Sequence, residues 1–214
     1  MNVKLIAVTK PLVEGINTAD ELISYCARVS NPANQLNVET APRLLRYCVK
    51  HGHWSIFETV SMTVEIVTSR AIAAQLLRHR SFTFQEFSQR YAVSTNYEDI
   101  ELRLQDKLNR QASGELFKDR TSYLMASRVI AEAFAAYENL IKNGVSKETA
   151  RMVLPLCTQT TLYMTGNVRS WIHYFTIRCA EGTQKEHREV AQAIKEIFNQ
   201  QFPTVADAIN ESHS

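Results

Sequence analysis

The distribution of glycine restricts the fold of this chain more than any other feature of its sequence. Only 6 of the 214 residues are glycine, and no two of them are close neighbours. Phosphate-binding loops of the G-x-G-x-x-G and G-x-x-x-x-G-K-[ST] types need clustered glycines, because glycine lets backbone amides approach the phosphate closely. The sequence therefore excludes these loops. A phosphorylated ligand would have to be held by side chains, for which the planar fork of arginine is best suited.

One segment alternates apolar and polar residues in the way that is typical of a half-buried β-strand. It spans residues 60–66 (VSMTVEI), and a strand with one polar face belongs in an antiparallel or mixed sheet rather than a buried parallel one. Because helical spacing occurs on both sides of it, we expect an α+β fold in which a mixed or antiparallel sheet is flanked by long helices. A length of 214 residues with 45% hydrophobic content indicates a single domain over residues 1–214.

Apolar periodicity predicts the remaining elements. Strands are expected at residues 3–9, 91–94 and 158–164. Helices are expected at residues 19–29, 40–50, 69–78, 123–141 and 167–179, with a short one between Ser146 and Pro155. Thr183-Gln184-Lys185-Glu186 has the form of a capping box and predicts the start of the last long helix. Residues 96–118 are polar and weakly patterned, which leaves a surface excursion and an exposed helix both open.

Charge and hydropathy narrow the class of protein. The chain has 24 basic and 22 acidic residues, and its net charge of +2 disfavours a strongly basic nucleic-acid coat protein. No run approaches the roughly 20 apolar residues of a membrane helix, and the apolar run at the N-terminus is too short for a signal peptide. We therefore expect a cytoplasmic protein (in the host cytoplasm if a virus encodes it) that binds neither membrane nor nucleic acid.

The four cysteines are expected to be packing residues. They are far apart in the sequence and include no C-x-x-C pair, which disfavours a disulfide scaffold and a zinc ribbon. Helical spacing places Cys26 on an apolar face with Leu22 and Val29, and Cys48 on another. A reactive thiol needs a basic neighbourhood that lowers its pKa, and only Cys179, next to an arginine, has one.

The densest polar segment spans residues 78–90 (RHRSFTFQEFSQR). Its composition allows a basic helix end, where cations complement the helix dipole. The preceding residues 72–77 are apolar apart from Gln75, however, so the arginines follow a buried element. The phenylalanines that alternate with polar groups favour a walled anion site, or equally a groove in which aromatic rings stack on single-stranded RNA bases.

Two alternative functions can be weighed from the same residues. An RNA-binding module would draw its affinity from summed phosphate contacts, and the net charge of +2 argues against it. A metal-dependent hydrolase would use histidines, of which there are 6. His51 and His53 flank one glycine, but no H-E-x-x-H motif or carboxylate–histidine cluster accompanies them, so we expect no metal.

Arg78-His79-Arg80, followed after seven intervening residues by Ser88, resembles the signature of the flavin-dependent thymidylate synthases. The longer pattern continues through Glu86 and Arg90. Thr83 and Gln85 stand where the family usually has serine and asparagine, and both keep the capacity to form hydrogen bonds. Further matches, in the family's order and over most of the chain, are His53-Trp54-Ser55-x-x-Glu58, Gln75, Arg151-x-x-Leu154-Pro155, Asn167-Val168-Arg169 and Arg178.

The resemblance implies the fold of that family and its reaction. The family converts dUMP to dTMP by transferring a methylene group from methylenetetrahydrofolate and reducing it to methyl. FAD carries the hydride, and NADPH recharges the flavin. The family also implies a homotetramer whose active sites are shared between subunits.

The resemblance further implies which residues bind dUMP. They are Gln75, Arg78, Glu86, Ser88, Gln89, Arg90, Arg151 and Arg178. Arg90 and Arg151 suit the phosphate, because each charged hydrogen bond contributes roughly 1.5–3 kcal/mol. Arg178 matches the arginine to which the family assigns the catalytic task of stabilising the deprotonated pyrimidine. Ser88 is the second catalytic candidate, because its hydroxyl is a possible nucleophile, but nothing in the sequence shows a base poised on it. Positioning dUMP is therefore the role we expect of it.

The flavin site is likewise implied by the resemblance. Its residues are His53, Ser55, Arg78, His79, Arg80, Glu86, Asn167, Val168, Arg169 and His173. His173 stands where some members have asparagine, and a neutral imidazole can donate one hydrogen bond as an amide does. On a helix, Asn167 and Arg178 fall within about 20° of each other, whereas Arg169 and His173 share another stripe. Such a helix must border more than one pocket, which agrees with active sites at subunit junctions.

Overall fold

The computed structural model describes residues 1–212 and is built on a four-stranded antiparallel sheet. The strands of the described region are β1 (Asn2–Val8), β2 (Ser61–Ser69), β3 (Thr83–Glu86), β4 (Arg103–Gln105), β5 (Ser113–Leu116) and β6 (Gln159–Asn167). The main sheet has the order β1-β2-β6-β3, and β4 and β5 form a separate two-stranded hairpin. Every pairing is antiparallel, so the α+β expectation is confirmed.

Helices surround the main sheet. Within residues 1–212 they are α1 (Ala19–Ala27), α2 (Ala41–Lys50), α3 (Arg70–Leu76), α4 (Arg120–Lys142), α5 (Lys147–Ala150), α6 (Val168–Arg178), α7 (Lys185–Gln201) and α8 (Pro203–Ser212). None of these described helices is both long and apolar enough to span a lipid bilayer.

The alternation of β2 produces a sheet with one buried and one partly open face. Met62, Val64 and Ile66 are buried, whereas the intervening Thr63 and Glu65 are half-exposed. Strand β6 repeats this pattern opposite β2 because the two strands pair in register along their full length. Side chains of α6 and α7 complete the hydrophobic core on the buried face.

Helix α6 packs against the sheet through the stripe that its spacing predicts. Val168, Trp171, Ile172 and Phe175 are all buried. The Trp171 indole N–H donates to the backbone oxygens of Met62 at 3.2 Å and of Gly166 at 3.0 Å, so the largest core side chain leaves no buried donor unpaired. This contact fixes the distance between α6 and the two central strands.

The strand predicted at residues 91–94 is wrong. The backbone N–H groups of Tyr91 and Ala92 both donate to the Ser88 carbonyl at 3.0 Å, which forms a turn. Ser94 is buried, and its hydroxyl accepts a hydrogen bond from the Gln89 amide at 3.0 Å. These local bonds satisfy the backbone and side chains that a strand would have paired with a neighbour.

The capping box predicted at residues 183–186 is also wrong. Helix α7 begins one residue later, with Gln184 at the N-cap and no side-chain hydrogen bond closing it. The Thr183 hydroxyl instead donates to the Ile177 carbonyl at 3.1 Å. The Glu186 carboxylate, which a capping box would turn back to the cap, accepts from Arg103 at 2.6 Å. A tertiary ion pair has therefore replaced the local motif.

Residues 96–118 form a surface excursion rather than a helix, and its centre is the β4–β5 hairpin. The hairpin is attached to the first turn of α7 by ion pairs. Arg103 contacts Glu101 at 2.8 Å and Glu186 at 2.6 Å, and Lys185 contacts Glu101 at 2.9 Å. The first predicted helix was two residues too long, since α1 ends at Ala27 and Val29 is 70% exposed.

Candidate active site

The arginine-rich segment leaves the C-terminus of α3 and enters the edge strand β3. Arg78 and Arg80 are exposed, and His79 between them is half-buried. Phe82 turns inward, where its ring centroid lies 4.6 Å from that of Trp171. The buried ring anchors the segment and leaves both exposed arginines directed away from the core.

Arg178, in the last turn of α6, contacts this segment. Its Nε donates to His79 Nε2 at 2.9 Å. Burial, together with the nearby charges of Arg178 and His173, lowers the pKa of His79 to about 4. His79 is therefore neutral at neutral pH and able to accept at Nε2. None of the ion pairs within residues 1–212 gives Arg178 a carboxylate partner, so its positive charge is not cancelled.

A buried polar cluster lies beside the contact between Arg178 and His79. His187 is fully buried, with Nδ1 3.1 Å from Gln75 Oε1 and Nε2 3.1 Å from the Tyr174 hydroxyl. Desolvation, with the charge of Arg178 and the His79 ring, lowers the pKa of His187 to about 3. The Gln75 amide nitrogen donates to Gln184 Oε1 at 2.6 Å. Sequence reasoning had found Gln75 but not its partners, because α7 reaches it only in the folded chain.

Arg90 and Arg151 meet at a second place, on the short helix α5. Arg90 donates to the Glu148 carboxylate at 2.8 Å, and Arg151 donates to the Glu148 backbone carbonyl at 3.3 Å. The Arg90 and Glu148 side chains are 65% and 60% exposed, so their ion pair contributes only about 0–1 kcal/mol. A more highly charged anion could therefore replace Glu148 at little cost.

The other residues of the predicted dUMP site differ in accessibility. Ser88 is exposed, whereas Gln89 is buried with its amide bound to Ser94. Glu86 is half-buried and accepts from Arg70 at 2.5 Å and from the Thr160 hydroxyl at 2.9 Å. An acidic side chain held by these two donors is neutralised in place and rigid.

A cleft of about 1160 Å³ opens between α2, α6 and α8. Asn167, Arg169 and His173 line it, together with Ser81 and Trp54. Asn167 also caps α6, because its side-chain oxygen accepts from the Ser170 N–H at 2.8 Å.

The remaining residues predicted for the flavin site do not line this cleft. These are His53, Ser55, Arg78, His79, Arg80, Glu86 and Val168. Arg169 forms an ion pair with Glu58 across the mouth of the cleft. His53 and Ser55 are exposed on either side of Trp54, and the His53 ring lies 5.7 Å from that of Tyr47. The Val168 side chain is fully buried in the core, so only its backbone can face a ligand.

Helix α6 borders both regions, but its residues are grouped differently from what the spacing predicts, because Asn167 lines the cleft with Arg169 and His173 whereas Arg178 does not. Asn167 and Arg178 lie at opposite ends of it, about 16 Å apart at the rise of an α-helix. The cleft contacts its N-terminal half, and Arg178 contacts His79 at its C-terminal end. A ligand bound in the cleft and one bound beside Arg178 would therefore both contact α6.

The cysteines offer no activated thiol. All four are free. Burial raises the pKa of Cys48, Cys157 and Cys179, and the neighbouring arginine therefore does not activate Cys179. Within residues 1–212, no group of three or more His, Cys, Asp or Glu side chains could hold a metal ion.

The fold is α+β, and exposed arginine side chains rather than a glycine-rich loop are the cationic groups at this site. The chain belongs to the thymidylate synthase complementing protein (Thy1) family, whose model matches residues 11–204.

Relatives along the whole chain agree with this assignment. A probable flavin-dependent thymidylate synthase of Paramecium bursaria Chlorella virus 1 is 52% identical over 214 residues, which cover 98% of this chain and 99% of that protein. The flavin-dependent thymidylate synthase of Synechocystis is 52% identical over 215 residues with the same coverage of both chains. The crystal structure of a UMP/dUMP methylase, PolB, from Streptomyces cacaoi bound with 5-Br dUMP superimposes with a TM-score of 0.82. It is 26% identical and covers 98% of this chain and 94% of that chain.

Proposed function

We propose that this chain catalyses the reductive methylation of dUMP to dTMP, with methylenetetrahydrofolate as the carbon donor, FAD as the hydride carrier and NADPH as the reductant of the flavin. Family membership and the full-length relatives support the reaction and the flavin. The observation in the structure that supports it most is the contact between Arg178 and a neutral His79.

Arg178 is the residue that we propose to activate the pyrimidine. The base must become electron-rich before it can attack the methylene carbon, and a cation held against it stabilises the negative charge that develops. His79 orients the guanidinium without neutralising it, because its Nε2 accepts the hydrogen bond as an uncharged group. The full positive charge of Arg178 thus remains available to the substrate.

Arg90 and Arg151 are proposed to bind the phosphate of dUMP. Both contact Glu148, Arg90 at its carboxylate and Arg151 at its backbone carbonyl, and the exposed ion pair with Arg90 is weak. A phosphate dianion can accept bidentate hydrogen bonds from both arginines and would displace the carboxylate. We propose that the other residues of the nucleotide site are Gln75, Arg78, Glu86, Ser88 and Gln89.

The large cleft suits FAD in size and in the chemistry of its lining. Small-molecule pockets are commonly about 300–1,000 Å³, and this cleft of about 1160 Å³ can take a dinucleotide. Its walls combine the aromatic Trp54 with Arg169 and the polar Asn167 and His173. We propose that these residues hold FAD together with His53, Ser55, Arg78, His79, Arg80, Glu86 and the backbone of Val168. When bound, the flavin supplies the hydride that converts the transferred methylene to methyl.

The working form is proposed to be a homotetramer with shared active sites. Helix α4 carries Leu124, Met125 and Val129 with 55%, 66% and 58% of each side chain exposed, and the nearby Met152 and Leu156 are 78% and 71% exposed. Such apolar surface is typical of a protein interface. Val129→Glu should yield monomers by analytical ultracentrifugation and abolish turnover, and a monomer with full turnover would refute shared sites.

The proposal extends to the organisation of the chain and its location. One connected hydrophobic cluster joins residues of α1, α2, α3, α6, α7 and α8 with those of β2 and β6, and it supports the proposal of a single domain over residues 1–214. We place the protein in the cytoplasm, or in the host cytoplasm if a virus encodes it, where dUMP and folate are available.

A single set of assays tests the reaction. The purified protein should be yellow, lose its flavin band on anaerobic addition of NADPH, and form dTMP from dUMP and methylenetetrahydrofolate. Because the two reducing electrons come from NADPH through the flavin, the folate product should be tetrahydrofolate, with one NADPH consumed per dTMP. A colourless protein, or dTMP formation accompanied by dihydrofolate without NADPH consumption, would contradict the proposal.

A further inference from the structure

The Glu186 carboxylate is the start of a directional chain of hydrogen bonds. Its Oε1 accepts from Arg103 at 2.6 Å, and its Oε2 accepts from the Gln184 amide nitrogen at 2.9 Å. Burial alone raises the pKa of Glu186, but the hydrogen bonds from its own backbone, Arg103 and Gln184 outweigh burial and lower it. The group is therefore ionised at neutral pH, and an ionised carboxylate can only accept hydrogen bonds.

The orientation of two amides follows from that fact. Gln184 must direct its nitrogen to Glu186 and hence its oxygen to Gln75. Gln75 then donates to that oxygen at 2.6 Å and directs its own oxygen to His187 Nδ1, 3.1 Å away. His187 accordingly carries its proton on Nδ1 and accepts at Nε2 from the Tyr174 hydroxyl, at 3.1 Å.

We propose that Glu186, held by Arg103 of the β4–β5 hairpin, fixes the orientation of the Gln75 amide and thereby makes the site select uracil over cytosine nucleotides. The inference rests on the proposed function, because it requires Gln75 to face the pyrimidine of the bound nucleotide. It also gives a role to residues 96–118, whose pattern predicted none. The hairpin positions a substrate-binding residue from a distance.

The chemistry of the two bases explains the selection. After its bonds to Gln184 and His187, Gln75 retains one N–H and one oxygen lone pair. Uracil presents an acceptor at O4 and a donor at N3, whereas cytosine presents a donor at N4 and an acceptor at N3. One orientation of the amide therefore pairs with uracil and the flipped orientation pairs with cytosine. A site built to hydrogen-bond one pattern rejects the other, because the mismatched polar groups are left unpaired.

The hydrogen-bond chain makes the flipped orientation rare. Turning Gln75 alone exchanges its donor and acceptor. His187 can follow by moving its proton to Nε2, so the bond to Gln184 is the one that is broken. One hydrogen bond at the upper end of ordinary strength corresponds to a factor of about ten in population. The affinity for a ligand that needs the flipped form is reduced by that factor, since apparent affinity scales with the competent fraction.

The isosteric substitution Glu186→Gln tests the proposal by reversing the chain. Arg103 can only donate, so the oxygen of the new amide stays with Arg103 and its nitrogen faces Gln184. Gln184 must then turn its oxygen toward residue 186 and its nitrogen toward Gln75. The Gln75 amide must flip in response, so that its oxygen accepts from Gln184. His187 accommodates the change by moving its proton from Nδ1 to Nε2, a shift between neutral tautomers.

The readout is nucleotide binding to the flavin-loaded protein, measured by titration calorimetry. In Glu186→Gln the Kd for dUMP should rise about tenfold and the Kd for dCMP should fall about tenfold, a change of about 100-fold in their ratio. A merely structural role would weaken both nucleotides together. An unchanged ratio of the two Kd values in this variant would overturn the proposal.

Two further variants complete the test. Lys185→Gln removes the ion pair between Lys185 of α7 and Glu101 beside the β4–β5 hairpin, whose charged atoms are 2.9 Å apart. Lys185 is not part of the hydrogen-bond chain, so this variant should leave both Kd values within twofold of wild type. Should Glu186→Gln fail to fold, Gln184→Met decides. The methionine side chain neither accepts a hydrogen bond from Gln75 nor donates one to Glu186, so the Gln75 amide is free to adopt either orientation. The variant should tighten dCMP about fivefold and weaken dUMP only about twofold, and equal effects on both would overturn the proposal. Absence of dTMP formation by the wild-type protein would instead count against the proposed function itself.

Discussion

Gly166 lies where strand β6 passes under the Phe82 ring, and Gly166→Ala should disturb the arginine-rich segment from within the core. A Cβ added at Gly166 would lie 2.4 Å from both Cδ1 and Cε1 of Phe82. Carbon atoms in contact prefer about 3.5–4.0 Å, so the ring would have to move by more than 1 Å. Phe82 is 7% exposed and confined by Trp171 and Tyr174, with ring centroids at 4.6 Å and 5.8 Å.

The cost can be bounded in two ways. If the ring stays in the core, overpacking costs about 1–3 kcal/mol. If it leaves, the lost burial of one phenylalanine costs about 1.5–3 kcal/mol. Both routes lead to about 2 kcal/mol, which corresponds to a fall in Tm of about 4–8 °C for a chain of this size. Because Phe82 lies two residues after Arg80 in the same segment, the movement should also reduce dTMP formation at temperatures where the variant is fully folded.

Thermal and urea unfolding followed by circular dichroism, with turnover measured in parallel, will check this. Gly182→Ala is the matched control, since a Cβ there meets nothing within 4 Å, and it should change the free energy of unfolding by less than about 0.5 kcal/mol. Phe82→Leu should relieve part of the clash when combined with Gly166→Ala. Wild-type stability and turnover in Gly166→Ala would refute the claim that close packing at Phe82 fixes the segment.

Three further outcomes follow from the structure. His187→Gln should reduce the fall in the free energy of unfolding between pH 7 and pH 5. The folded pKa of His187 is lowered to about 3, so the unfolded state binds the proton first and wild-type stability falls as pH drops from about 6.5, by about 2 kcal/mol at pH 5. Urea unfolding at pH 7 and pH 5 measures this, and equal slopes in both proteins would contradict it. Cys179→Ser should retain turnover in the dTMP assay, because burial raises the pKa of this thiol, and a loss of more than about tenfold would point to a nucleophile. Asp119→Ala removes the acceptor of the Ser122 N–H at 2.8 Å at the start of α4 and should lower the free energy of unfolding by about 1 kcal/mol, whereas an unchanged urea midpoint would show that the cap is dispensable.

The parts of the fold that depend on local pattern could be predicted from the sequence. The alternation in residues 60–66 identified β2, and the stripe on α6 identified its buried face, because both patterns reflect one side meeting the core. The predictions failed where a tertiary contact outweighed a local motif. Glu186 is drawn to Arg103, 83 residues away, instead of closing a capping box. Ser94 is held by Gln89 in a turn rather than in a strand.

The candidate site shows the same division. The resemblance supplied Arg78, His79 and Arg178 as separate positions in the chain, and the structure adds that Arg178 donates to His79. Periodicity contains no information about that pairing or about its effect on the pKa of His79. Glu186 and Gln184 were assigned to a capping box and not to the site, because the hydrogen bonds that link them to Gln75 form only where α7 meets α3 and the hairpin.

The central claim is that the uncancelled charge of Arg178 activates the pyrimidine, and Arg178→Ala tests it most directly. The variant should be purified with its flavin spectrum intact and should still bind dUMP through Arg90 and Arg151. The rate of dTMP formation in a single turnover should fall by about 100- to 1,000-fold, the usual effect of removing one group that stabilises developing charge. Single-turnover formation of dTMP within about threefold of the wild-type rate, with flavin and dUMP bound, would contradict the account.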